Sequence, residues 1–158
     1  MPAARLLAGQ FAAGPVVLGP AVPDLATAPV SARAAVAGLA VAAAWPAAPR
    51  PVAADALLPE RALGGDRDAR EALVTISRAV DDTDPTLTQT LSAFVECGGS
   101  LEATARALFV HPNTVRYRLR RVTDVTGLVA RDPRERWALS LALSFGRLEA
   151  AAPKDRSL

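Results

Sequence analysis

The 158-residue chain holds one cysteine, Cys97, and one histidine, His111. A single cysteine excludes an intramolecular disulfide and fits a reducing, cytoplasmic setting. The same scarcity excludes a Cys/His zinc site. Aromatic residues make up only 4% of the chain, so the core must be built from Leu, Val and Ala with a few large anchors. No apolar run reaches the roughly twenty residues that span a bilayer. The longest uncharged one, Ala34 to Trp45, is mostly alanine and stops at Pro46. A secretory leader is disfavoured as well, because Gly14, Pro15, Gly19, Pro20 and Pro23 interrupt the apolar residues that follow Arg5. Phosphate-binding loops, dinucleotide fingerprints, nucleophile elbows and metal-ligand clusters are all missing. No enzymatic activity and no cofactor is therefore expected. The acidic group Asp81, Asp82 and Asp84 lies in a breaker segment, DDTDP, and reads as helix-capping.

What is present divides near Gly64-Gly65. The first part is rich in Ala and Pro and poor in charge. PVVLGP (residues 15–20) reads as a short strand between breakers, and RPVAAD as a second one. SARAAVAGLAVAAAW reads as a helix with Ser31 as N-cap and Pro46 as stop, and ALLPERAL as a short helix. Two isolated strands do not make a stable sheet alone. Residues 1–64 are thus either part of a larger α/β domain or an Ala/Pro-rich flexible leader.

After Gly65 the pattern is helical. Asp66 caps a helix carrying Ala69, Leu73, Ile76 and Val80 at helical spacing. A second helix over about residues 86–96 carries Leu87, Leu91, Phe94 and Val95, and Gly98-Gly99 closes it. Ser100 then caps a third helix with Leu101, Ala105 and Leu108 inward. Phe109 to His111 form a tight connection, and a fourth helix starts at Pro112 with Val115, Leu119 and Val122 inward. This is helix–turn–helix spacing, with the small Ala105 where two helices would cross closely.

Five arginines and no carboxylate lie between Ala103 and Thr123. The outward positions of the fourth helix are Asn113, Thr114, Arg116, Tyr117, Arg118, Arg120 and Arg121. A helix needing only solubility would mix acids with bases; this one repels itself along its length, which suits a polyanion. Double-stranded DNA is the expected partner, with His111, Asn113, Thr114, Arg116, Tyr117, Arg118, Arg120 and Arg121 as the expected contact set. The plainer alternative is a solvated basic face. For His111 it is a turn residue bonded to a backbone group or a phosphate; for Tyr117, a ring packed on neighbouring apolar surface. Cys97 reads as a small core residue.

HPNTVRYRLRRV, preceded by GGSLEATARAL and followed by TG, resembles the C-terminal helix-turn-helix of PucR/CdaR-type transcriptional regulators, and more loosely that of the nucleoid protein Fis. That family includes activators of purine catabolism and of sugar-diacid use, and regulators assigned to polyketide synthesis. The match covers about residues 86–148. The resemblance implies a cytoplasmic regulator and makes residues 1–64 the tail of a degenerate GGDEF-like α/β domain, so that the chain resembles a truncated regulator or a fragment. Phe109 departs from many helix-turn-helix motifs, which carry glycine at that turn position. The expected architecture is mainly α: a helix-turn-helix bundle over residues 65–150, motif at 100–122, after a short partial α/β segment, with a flexible tail at 151–158.

DPRERWALSLALSFGRLEA begins with Asp132 as N-cap, Pro133 at the first position and Glu135 to complete a capping box. Trp137, Leu141, Phe145 and Leu148 form a stripe expected to pack on the helix-turn-helix, with Leu139, Leu143 and Gly146 opposite. Apolar residues on both sides of this helix mean either full burial or a partner, and a homodimer is expected. A dimerisation or interaction module without DNA-binding activity is the second reading.

Overall fold

The computed structural model describes residues 6–152; most of the expected tail, 153–158, lies outside them. The chain divides at Arg70–Glu71 into two compact units. Among the described residues, no helix is long and apolar enough to cross a membrane.

In the first unit, β1 (Val17–Leu18) and β2 (Val52–Ala53) pair in parallel, with Val17 opposite Val52 and Leu18 opposite Ala53. Both strands fall where the valines between breakers predict them. The crossover is helix α1 (Ala28–Val41), followed by a 3-10 turn, Ala42–Ala44. Gly38 lets α1 lie close to the strand, since a Cβ there would come within 2.9 Å of Val17 Cγ1. The helix begins three residues before the expected Ser31 cap. Pro29 is tolerated in a first turn, so the helix extends back to it. Thr27 precedes it, its hydroxyl donating to Asp24 Oδ1 (2.7 Å) instead of capping. Ala42, Val52 and Leu57 form a small core, with Val17, Trp45 and Ala48 packed on it.

A 3-10 turn (Ala54–Leu57) leads into helix α2 (Leu58–Leu63). Its Arg61 is buried, and Nε and Nη2 each donate to Asp66 Oδ2 at 2.8 Å. The other carboxylate oxygen of Asp66 accepts from the backbone N–H of Asp68 and Ala69 at 3.0 and 3.3 Å. The expected cap on helix α3 (Arg67–Thr83) is thus present and doubles as the partner of a buried cation.

In the second unit α3 runs on through Asp81, Asp82 and Thr83, so the first three residues of the DDTDP segment continue the helix instead of breaking it. The break is at Asp84, whose extended backbone and carboxylate cap helix α4 (Pro85–Glu96) by accepting from Thr86 N–H at 2.8 Å. Helix α5 (Leu101–Ala107) is capped by Ser100, and helix α6 (Pro112–Thr126) by His111. Helix α7 (Pro133–Ala151) is capped by Asp132. Helices α4, α5 and α6 pack on one another, and α7 packs on α4. Their shared core is Leu87, Leu91, Phe94, Leu101, Ala105, Val115, Leu119, Val122, Leu139 and Leu143 with Val80 of α3. Leu108 is only half-buried; Thr104 is fully buried in its place, its hydroxyl donating to Ser100 O at 2.6 Å.

Two expectations for α7 are corrected. The buried face is Ala138, Leu139, Ala142 and Leu143, and Gly146 continues it so close to Ser77 of α3 that no Cβ would fit. Trp137 and Leu148 instead stand 38% and 66% exposed. Small residues at i, i+4 and i+8 let the backbones approach, which the larger stripe would prevent. The capping box is also not closed as expected. Glu135 accepts from Val129 N–H, because the Asp132 N–H already donates to Val129 O (2.9 Å).

The dual role of Asp66 yields a test. Asp66→Ala should destabilise the protein by about 3–5 kcal/mol, because it removes the close carboxylate from a buried guanidinium and leaves it only Ala54 O at 3.3 Å and the more distant Asp55 at 4.0 Å. Asp66→Asn keeps a good cap and should lose less. Denaturant unfolding curves for both that coincide with the native one would contradict the assignment.

Candidate nucleic-acid interface

Helices α4 and α5 end in the same closure. In α4 the Gly99 N–H donates to Phe94 O (2.8 Å) and Gly98 N–H to Val95 O (3.0 Å), with Gly98 left-handed at φ 64°. In α5 the Val110 N–H donates to Ala105 O (3.0 Å) and Phe109 N–H to Arg106 O (3.2 Å), with Phe109 at φ 54°. These paired bonds satisfy the last carbonyls of a helix and turn the chain sharply. The connection sends the chain from Ala107 into Pro112 in four residues, and α5 and α6 pack on one another with Ala105 buried in their shared core. The turn residue is phenylalanine where glycine is the usual solution, yet the closure still forms. The left-handed backbone costs about 1 kcal/mol for a residue with a side chain.

His111 begins α6. Its Nδ1 accepts from Asn113 N–H at 3.1 Å. An accepting Nδ1 carries no proton, so the ring N–H is on Nε2 of this exposed side chain. The turn reading of His111 as a residue bonded to backbone is therefore what the geometry has. Val115, Leu119 and Val122 are buried, each contributing roughly 1.5–3 kcal/mol. Their burial fixes which side of α6 faces solvent.

On that side stand Asn113, Arg116, Tyr117, Arg120 and Arg121, all exposed; Thr114 is half-buried at the edge. Arg116 donates to Asn113 Oδ1 one turn back. Tyr117 is 64% exposed and is not packed away as the alternative reading had it. Arg121 approaches Asp124 at only 4.0 Å, with both side chains about half exposed. Arg118 is placed apart from the others. Its Nη1 donates to Thr90 Oγ1 of α4 at 3.1 Å, and Thr90 is fully buried. At about 100° per residue Arg118 falls roughly 65° from the centre of the buried stripe, whereas Asn113, Tyr117 and Arg120 fall on the far side. The carboxyl of Asp84 is held below the usual range by the Thr86 backbone N–H and hydroxyl, and by a smaller pull from the Arg118 guanidinium.

The arrangement thus offers a capped helix end with amide, hydroxyl and guanidinium groups in its first two turns and two further guanidiniums beyond. Arg106, on the last turn of α5, adds another exposed cation before the turn. The role of Arg118 could have been found in the sequence from its angular position, but its partner Thr90 could not.

The family model of the PucR C-terminal helix-turn-helix domain matches residues 87–145. An uncharacterized protein of Mycobacterium tuberculosis is 54% identical over 110 residues, covering 69% of this chain and 27% of that protein. The purine catabolism regulatory protein of Bacillus subtilis is 40% identical over 65 residues, 41% of this chain and 12% of the relative. The crystal structure of a regulator of polyketide synthase expression from Bifidobacterium adolescentis superposes with a TM-score of 0.75 at 43% identity, over 84% of this chain and 53% of that one. The chain therefore spans about a quarter or less of these curated relatives.

The contrast between the arginines is measurable without any ligand. Arg118→Ala should lower unfolding stability by about 1–2 kcal/mol, since it strips a partner from a buried hydroxyl. Arg120→Ala should stay within about 0.5 kcal/mol of native. Equal losses in thermal or denaturant unfolding would remove the distinction.

Proposed function

We propose, taking residues 87–145 as a PucR C-terminal helix-turn-helix domain, that the second unit binds double-stranded DNA as the reading head of a PucR/CdaR-type transcriptional regulator. One observation carries the proposal: α6 is seated by Val115, Leu119 and Val122, and its outward face is almost wholly cationic and polar. The names of the relatives, a purine catabolism regulator and a regulator of polyketide synthase expression, support it.

In this reading α6 lies in the major groove with its N-terminal end toward the base edges. Asn113 suits a bidentate pair with adenine and Arg116 one with guanine. Thr114 and Tyr117 meet base edges or thymine methyls, and the Nε2–H of His111 reaches a phosphate or base at the helix start. Arg120 and Arg121 neutralise phosphates further along. Arg118 acts from behind, holding α6 against α4 through Thr90.

A single helix of this length reads few base pairs, so two copies addressing half-sites are part of the proposal. The stripe of α7 that carries the exposed Trp137 and Leu148 is the surface proposed for pairing. That same exposed stripe favours the second reading, a pairing module whose DNA affinity is idle. Residues 1–64 are proposed as the tail of a GGDEF-like domain, supported by the parallel β1–α1–β2 crossover. A cytoplasmic location goes with a DNA partner and a single cysteine.

Binding of a fluorescent duplex pool should weaken with salt, by roughly 0.9 on a log–log slope per phosphate neutralised. Arg120→Gln should flatten that slope by about 0.9, whereas Arg118→Gln should weaken binding and leave the slope alone. An affinity equal at low and high salt sinks the DNA reading and leaves the pairing module. Asn113→Ala should cost about 1–3 kcal/mol on a selected sequence and little on random duplex. Light scattering should give twice the 16.4 kDa chain mass; a monomer at tens of micromolar rejects the dimer.

A further inference from the structure

Phe109 occupies a position that the fold would fill better with glycine. Among the described residues the other left-handed positions are Gly14, Gly65, Gly98, Gly99 and Gly127, so Phe109 is the one there with a side chain. The comparison with α4 is direct, because the same two-bond closure ends both helices and α4 uses Gly98 at the equivalent place. Nothing in the folded chain compensates for the substitution. The ring is 95% exposed, while the next residue, Val110, supplies the apolar contact with the core. Neither turn formation nor packing accounts for a phenylalanine at this point.

Its surroundings indicate what it meets. Arg106 precedes it on the last turn of α5 and is exposed; His111 follows, and Asn113 and Arg116 stand on the first two turns of α6. No carboxylate occurs from Ala103 to Thr123. An apolar ring with the cationic Arg106 and Arg116 on the two helices beside it in the chain matches a surface that alternates negative charge with apolar area. The sugar–phosphate strand of a duplex is such a surface, with deoxyribose faces between phosphates.

We propose that Phe109 is a DNA-contact residue, its ring lying on the deoxyribose of the strand whose phosphates meet the flanking cations. The inference rests on reading α6 as the DNA-binding helix. Binding then recovers what the left-handed phenylalanine gives up in the free protein. The contact adds affinity without reading sequence, and it adds no term to the salt dependence because no charge is involved.

The test uses the whole chain, native and as Phe109→Gly and Phe109→Tyr, with thermal unfolding and duplex binding at fixed salt. Phe109→Gly should unfold a few degrees higher and bind a random duplex about fivefold more weakly, with an unchanged salt slope. Phe109→Tyr keeps the ring and should bind within about twofold of native. Native-like affinity in Phe109→Gly overturns the inference and assigns the ring to a protein partner instead. Weaker binding together with a lower unfolding temperature overturns it too, since the loss would then be structural. A Phe109→Tyr variant as weak as Phe109→Gly does the same. If the native chain binds no duplex at low salt, the DNA reading itself has failed; if it binds and Phe109→Gly binds equally, only the ring contact has.

Discussion

The burial of Val115, Leu119 and Val122 beneath α6 is the constraint on which the rest of the second unit depends. Three apolar side chains on one stripe hold the helix against α4 and α5, and their seating leaves one direction for everything else on it. Five of the polar and cationic side chains stand outward because that stripe is inward. Their mutual repulsion is tolerated because the apolar seating outweighs it: several kcal/mol of burial against exposed pair energies of a few tenths.

The turn before α6 and the strut behind it work with that stripe. The closure at Phe109 directs the chain into Pro112, and His111 caps the new helix with a ring nitrogen. Arg118 spans to Thr90, which is itself anchored by donating to Thr86 O at 2.7 Å. The cations of α6 therefore divide in kind. One stabilises the position of the helix within the protein, and the others stand exposed on its outward side, bonded at most to residues of their own helix. A similar economy appears in the first unit, where one carboxylate, Asp66, both starts a helix and neutralises the buried Arg61.

Most helices were legible in the sequence because their signals are local. Asp66, Asp84, Ser100 and Asp132 accept backbone N–H groups of the turns they open, and Gly98 takes the left-handed conformation that ends α4. The start of α1 is ambiguous in the sequence because Ser31 is a good cap, while Pro29 within a first turn is an equally good start. The side of α7 that packs is hidden in the sequence for a different reason. Its apolar residues lie all round the helix, and periodicity cannot choose between two apolar faces.

By itself, the amino-acid sequence determined the helical elements, the inward stripe of α6 and the cationic side opposite, since helix spacing and capping act within a few residues. Tertiary structure alone decided that Ala138, Ala142 and Gly146 make the close seam of α7, because only a neighbouring backbone can reward a missing side chain. It also decided that Arg118 is bonded to Thr90. That choice depends on a residue 28 positions away, and no local pattern carries such a distance.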